Sequence, residues 1–487
     1  MPARIKYLFV LFALILAISF GAAGCFGGGV ASPKESAQPP QEENKSGQLP
    51  DDSSKDEQKD QAGRSTNSER NQDNGMGVDE HQSETGDGTT DRGGDGLSNP
   101  NQGKDKDGDK TATETDQRSA NSVSAFVNHM TLDEKIGQLV MVGVDGTQPG
   151  PQARTLIQDY HVGGIILYGK NIQTTSQTVK LLNQLKKIND DAGNPLPLFL
   201  SVDQEGGRVE RLPNSIADLP SQGKVGKAND PELSRRIGQM LGMELSAFGF
   251  NMDFAPVLDV VRDPETSVIG DRSFGPDPNL VSELGVSEMK GIASQDVIPV
   301  VKHFPGYGEA STNAHTGLPV AKVGMKRLKS IDWIPYKKAI ANGADAVMVT
   351  HILLPKLHTD YPASMSQKVI TGMLRDELGF DGVVITDDMT MGAIKKNYDL
   401  DRAAVRSVKA GADIVLVAFN YDQQISVLHA LKQAVKKEEI TEKQLNQSVA
   451  RILRLKRKFG LSNRPSNGVN IERLNGKIHS VLEEQFS

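Results

Sequence analysis

Six residues able to carry charge or move protons fall within or at the ends of short, apolar, β-branched runs. Asp203 closes the run 196–203, Lys302 and His303 lie in 297–305, His351 closes 344–351, and Asp387 with Asp388 closes 382–388. Loops near them contain the strings DQEGGR (203–208), GDRSFG (270–275) and KHFPGYGEASTNAH (302–315). The available chemistry is that of carboxylates and imidazoles, which serve as nucleophiles and as general acids or bases. Asp203, Arg272, Lys302 and His303 add hydrogen-bonding groups of both signs, as a sugar requires. No P-loop spacing, H-E-x-x-H or G-x-S-x-G string occurs, which argues against nucleotide-triphosphate, zinc-peptidase and serine-hydrolase chemistry. The single cysteine, Cys25, excludes a disulfide framework and a cysteine-based zinc site. No metal and no cofactor is expected. Taken alone, Asp387 and Asp388 read equally well as caps of the following helix, and Lys302 and His303 as ion-pair partners of barrel carboxylates. His351 reads as a structural histidine as readily as a ligand contact, and Met389 and Met391 read as packing. Glycines at 206, 207, 270, 275, 306 and 308 allow close backbone approach or positive φ, and suggest a mobile lip over a small ligand.

Eight such runs must position these groups: 136–144, 162–168, 196–203, 250–260, 297–305, 344–351, 382–388 and 412–419. Stretches of helical periodicity separate them. Continuous apolar strands alternating with helices predict an α/β fold with a parallel sheet covered on both faces. Eight of them predict a (β/α)8 barrel, with a doubly wound open sheet as the alternative, although no G-x-G-x-x-G follows the first run. Reacting groups in such barrels sit at the carboxyl ends of the strands, the rim where the charged residues above accumulate. Thr131 with Glu134 forms a capping box at the start of the repeating region. Thr441 with Gln444 opens what reads as the last helix, carrying Leu445, Val449, Ile452 and Leu453 and stopping at Gly460.

Ahead of the barrel, predicted to span 121–487, the texture differs. Arg4 and Lys6 precede an apolar run over 7–20, and small residues lead to Cys25. This order predicts a secretory signal over 1–25, with Cys25 as a lipid-bearing residue as in bacterial lipoproteins, although Ala22 stands where such signals usually have Leu. Residues 31–120 carry 21 acidic against 11 basic residues and contain no Phe, Tyr, Trp or Ile. Such a segment cannot bury enough apolar surface to offset the entropy of ordering, so 26–120 reads as a disordered acidic tether. As a polar coil its root-mean-square reach is about 50 Å. Asp105, Asp107 and Asp109 fit a calcium loop poorly, because Gly108 is misplaced and Asp116 occupies position twelve. The net charge of −7 belongs to this tether, and the near-neutral remainder shows no basic stripe, which argues against nucleic-acid binding.

The strings DQEGGRVERL, GDRSFG, KHFPGYG followed by His315, and VVITDDMTM together resemble the bacterial β-N-acetylglucosaminidase branch of glycoside hydrolase family 3, in order and spacing across nearly all of 121–460. The resemblance implies a barrel that removes terminal β-linked N-acetylglucosamine from cell-wall fragments by a retaining route through a glycosyl-aspartate. It implies Asp387 as nucleophile and His315 as general acid and then base. It also implies Asp203, Arg211, Arg272, Lys302 and His303 as sugar-binding groups. Many members add a second sheet domain, for which the residues after Leu461 are too few.

A retaining enzyme needs its two groups about 5 Å apart, closer than two ionised carboxylates sit comfortably, and an imidazole removes that repulsion. A neutral base also tolerates an anionic acceptor, so phosphorolysis is a variant of the same chemistry. One position departs from the pattern. Asn313 stands where the family has the Asp of an Asp-x-His dyad, which predicts chemistry slower by about one or two orders of magnitude unless Glu309 compensates. Tyr307 stands where His is common, a change read as minor. The resulting expectation is a secreted, monomeric, lipid-anchored glycosidase of peptidoglycan turnover on the outer face of the cell membrane. The alternatives are a silent sugar-binding lipoprotein, a phosphorylase using the same His/Asp pair, and, less favoured, a β-glucosidase-like specificity.

Overall fold

The computed structural model describes residues 122–310 and 312–486. The signal segment 1–25, the lipidation site Cys25 and the tether 26–120 lie outside the described residues. Each predicted run contains a strand: β1 Val140–Gly143, β2 Gly164–Ile166, β3 Phe199–Val202, β4 Met252–Asp253, β5 Ile298–Phe304, β6 Ala346–Val349, β7 Val383–Thr386 and β8 Val415–Val417. All pair in parallel in the order β7-β6-β5-β4-β3-β2-β1-β8. A parallel bridge between Ile385 and Ile414 brings the two ends together, and Thr386 N donates to the Ile414 carbonyl at 3.0 Å. The architecture is a (β/α)8 barrel.

Every residue of these strands is buried, which is why the runs are continuously apolar rather than alternating. Helices cover the outside. The helix Pro231–Phe248 starts at Asp230, whose side chain accepts from Glu232 N, with proline at the first position, and stops at Gly249 with φ 103°. It buries Leu233, Ile237, Leu241, Leu245 and Phe248, each stabilising the fold by roughly 1.5–3 kcal/mol relative to exposure.

Two expectations change. The fourth run extends to 260, but β4 is only two residues long. Beyond it the chain is still buried and bonds β5 irregularly, Lys302 N donating to the Pro256 carbonyl (3.1 Å) and Leu258 N to the Lys302 carbonyl (2.6 Å). The apolar run reports burial there, not ladder pairing. Nor is the helix opened by Thr441, Glu442–Lys458, the last one. A further helix, Ile471–Phe486, follows. It packs through buried Leu474, Ile478 and Val481 and an ion pair between Glu484 and Arg236 at 2.7 Å.

Candidate active site

The loop after β3 makes its turn on Gly206 (φ 82°) and Gly207 (φ 61°). A Cβ on Gly206 would stand 2.6 Å from the Pro220 carbonyl oxygen, and one on Gly308 would stand 2.1 Å from that of Val260. These two glycines serve close packing of backbone on backbone, the first of the two uses expected of them.

That turn delivers two carboxylates to one buried ammonium. Lys302 Nζ lies 2.7 Å from Asp203 Oδ1 and 2.6 Å from Glu205 Oε1. Glu205 also receives both Nε and Nη2 of Arg272 at 2.7 Å, a bidentate pair that fixes the guanidinium plane. Arg272 Nη2 approaches His303 Nε2 at 3.4 Å, and His303 Nδ1 meets Asp259 Oδ2 at 2.7 Å. Arginine has no acceptor, so an imidazole accepting at Nε2 carries its proton on Nδ1, toward Asp259. Asp259 Oδ1 in turn accepts from Tyr307 N at 2.7 Å. Burial works against ionisation of Glu205, but Lys302 and Arg272 overcome it and hold the carboxyl well below the usual range.

At the end of β7, Asp387 N donates to the Val349 carbonyl (2.9 Å), and Oδ1 accepts from Asp388 N (2.9 Å). Burial raises its pKa, yet the imidazoles of His351 and His303, the Asp388 amide and Lys302 outweigh that and hold it below its ordinary value. It is a carboxylate at neutral pH. Its neighbour is pushed the other way by burial, and Asp388 Oδ1 accepts from Thr390 N (2.9 Å) and Ala418 N (3.0 Å), tying β7 to β8. His351 is fully buried between Ser364 Oγ (2.7 Å) and the Asp388 carbonyl (3.0 Å), a structural position.

The loop after β5 crosses the mouth to lean on the segment after β7. Ala314 is its anchor: its N–H donates to Tyr307 Oη (2.9 Å) and its carbonyl accepts from Ala393 N (2.9 Å). The Tyr307 hydroxyl also donates to the Thr312 carbonyl (2.9 Å), so one phenol closes the loop on itself. The replacement at 307 is therefore not minor. His315 follows, exposed.

One cavity of about 430 Å³ unites these parts. Asp203, Arg211, Arg272, Lys302, His303, Asn313, His315 and Asp387, the residues singled out from sequence, all line it. Among the described residues, no group of His, Cys, Asp or Glu is arranged to hold a metal ion.

The profile of the family described as "Glycosyl hydrolase family 3 N terminal domain" matches residues 131–455. The chain belongs to glycosyl hydrolase family 3. Beta-hexosaminidase LpqI of Mycobacterium tuberculosis is 35% identical over 330 residues, which cover 66% of this chain and 82% of the relative. Beta-hexosaminidase A of Pseudoalteromonas piscicida is 31% identical over 366 residues, 69% of this chain and 60% of that one, so the match spans less than two thirds of that relative. A glycoside hydrolase family 3 beta-N-acetylglucosaminidase from Paenibacillus sp. FPU-7 is 39% identical with a TM-score of 0.68, over 73% of this chain and 69% of that one. The solved M. tuberculosis LpqI has a TM-score of 0.63 at 32% identity, over 69% of this chain and 96% of that one.

Within this family 3 barrel, several site residues escaped the sequence reading. Glu205 lies inside the string DQEGGR, where nothing local marks it as the counter-charge of Lys302 and Arg272. Asp259, a charge inside an apolar run, was the signal for the partner of His303. Tyr168 and Phe419 close the second and eighth runs and line the cavity, as does Met391, which is half-buried and, as expected, packs against the core. Glu309 turns away from the cavity toward Arg327 (3.1 Å) and Arg262 (3.9 Å). Asn313 Oδ1 accepts from the backbone N–H of His315 (2.9 Å) and so braces main chain instead of the imidazole. The guanidinium of Arg211 donates to the Glu210 carbonyl (3.2 Å).

Proposed function

We propose that this chain is a retaining, exo-acting β-N-acetylglucosaminidase that removes terminal β-linked N-acetylglucosamine from peptidoglycan fragments. It works as a monomer held at the outer face of the cell membrane by a lipid on Cys25 and the acidic tether. The observation that carries the enzymatic part is that a carboxylate kept ionised at the barrel mouth, Asp387, and the imidazole-bearing loop of His315 line the same sugar-sized cavity. In the first step Asp387 attacks the anomeric carbon while His315 gives its proton to the departing glycosidic oxygen. In the second, His315 takes a proton from water, which attacks the anomeric carbon and releases Asp387 as carboxylate. Asp203, Lys302, His303, Arg272 and Arg211 bind the sugar hydroxyls and acetamido group. The beta-hexosaminidase names of the relatives support the substrate class.

A chromogenic N-acetylglucosaminide assay, with the anomeric configuration of the product read at early time, tests this. β-Configured product and loss of release in Asp387→Ala are expected. α-Configured product, or unchanged release in the variant, overturns it. Running the assay with and without phosphate separates hydrolysis from phosphorolysis. The position of Asn313, bonded to backbone and not to the imidazole, favours a second reading in which the site binds sugar with little turnover. Binding without any Asp387-dependent release is the outcome that reading requires.

A further inference from the structure

We propose that Phe419 is a stacking platform for the sugar on the leaving-group side of the scissile bond; this rests on the glycosidase reading above. Phe419 follows β8, at the same rim as Asp203 and Asp387, and lines the same cavity. It is 39% exposed, and among the described residues it is the exposed large apolar side chain. Single exposed apolar side chains are ordinary on protein surfaces; what singles this one out is its place on the wall of the charged cavity, where a bound ligand can cover it. The ring is also held. Tyr168 lies against it with centroids 5.0 Å apart and planes 32° apart, and Lys170 Nζ stands 4.8 Å from its centroid while paired to Asp145 at 2.9 Å. A fixed aromatic face offers dispersion and C–H contacts to the apolar face of a sugar ring without ordering a mobile side chain on binding.

The topology puts this face on the leaving-group side. The His315 loop starts from β5 but is fastened at Ala314 to Ala393, beyond β7. β8 hydrogen-bonds β1 on one side and is bridged to β7 on the other. His315 and Phe419 therefore approach the mouth from adjacent sectors of the rim. The imidazole must face the glycosidic oxygen to protonate it. The group on the far side of that oxygen leaves past the same sector, where the Phe419 ring stands. The ionic floor at Asp203, Lys302 and Arg272 takes the first sugar, and the aromatic lip takes the second.

The experiment compares kcat/KM for a β-linked N-acetylglucosamine disaccharide with that for N-acetylglucosaminyl fluoride, whose leaving group has no ring to stack. In Phe419→Ala the disaccharide-to-fluoride ratio is expected to fall about five- to tenfold, mainly through KM, and Phe419→Trp is expected to restore it. An equal fall for both substrates, or no fall for either, overturns the proposal. If the wild type hydrolyses neither substrate, the glycosidase reading fails separately. Calorimetric binding then still decides the platform: Phe419→Ala must weaken the disaccharide more than free N-acetylglucosamine, and equal weakening refutes it.

Discussion

The floor and the lip of the cavity are built in opposite ways. On the floor, Lys302 and Glu205 are almost fully buried, and four ionised groups bond one another at 2.6–2.7 Å. On the lip, His315 and Asn313 are exposed, and their loop is fastened by a few bonds at Ala314 and Tyr307. On the function proposed above, a floor set before substrate arrives suits recognition of a ring with many hydroxyls, and a lightly fastened lip suits proton transfer to a departing oxygen. The difference predicts that floor variants lose stability and binding together, whereas lip variants lose turnover alone.

The largest effect is expected at the lip. His315→Ala should lower kcat/KM for substrates with poor leaving groups by about 10²–10⁴, while thermal denaturation shifts by less than about 0.5 kcal/mol, as for an exposed side chain. A fall in Tm matching that of a floor variant would erase the contrast.

Glu205→Gln comes next and acts on the floor. Removing the carboxylate leaves Lys302 and Arg272 without their shared counter-charge in a buried site, a loss of about 3–5 kcal/mol in stability. The pH dependence has a definite sign. Since the folded-state pKa of Glu205 is depressed, its contribution is present above the unfolded value near pH 4.3 and fades as pH falls below it. Urea unfolding from pH 7 to pH 3 should show the wild type beginning to lose this increment, the remainder persisting until the pH reaches the depressed folded-state value, and Glu205→Gln losing less. Parallel curves would remove Glu205 from the account.

The comparison sharpens at Asn313. Asn313→Asp can keep one oxygen on the His315 backbone amide and offer the other to the imidazole. An added negative charge beside an imidazole favours its protonated form, so the alkaline limb of kcat/KM should move to higher pH. The rate should rise by about ten- to a hundredfold. An unchanged rate and profile would mean that the missing dyad charge costs this protein nothing.

Legibility in the sequence followed the range of the interaction. The eight runs were visible because two-sided burial writes itself into consecutive residues. Asp203, Lys302, His303 and Asp387 were visible because a charge in or at the end of an apolar run needs a use or a partner. Glu205 and Asp259 were not, since the partners that explain them lie 67 and 44 residues away around the barrel. The helix Ile471–Phe486 was missed because its buried face rests on three residues in a polar stretch. Tyr307 was undervalued for a different reason: its hydroxyl partners are backbone groups, which carry no trace in the sequence.

That phenol yields the smallest effect and the finest test of where floor ends and lip begins. Tyr307 belongs to both, since its amide is held by Asp259 while its hydroxyl fastens Thr312 and Ala314. Tyr307→Phe keeps the buried ring and the amide bond but removes both loop bonds, so about 1 kcal/mol of loop positioning should be lost, roughly fivefold in rate. If the phenol acts through His315, the loss falls on substrates whose leaving oxygen must be protonated. It spares kcat/KM for a dinitrophenyl glycoside, whose departure needs no acid. If it serves only the fold, both substrates suffer alike and Tm falls with them. A uniform loss would assign Tyr307 to the floor, whereas a loss graded by leaving-group basicity would assign it to the machinery that aims the imidazole.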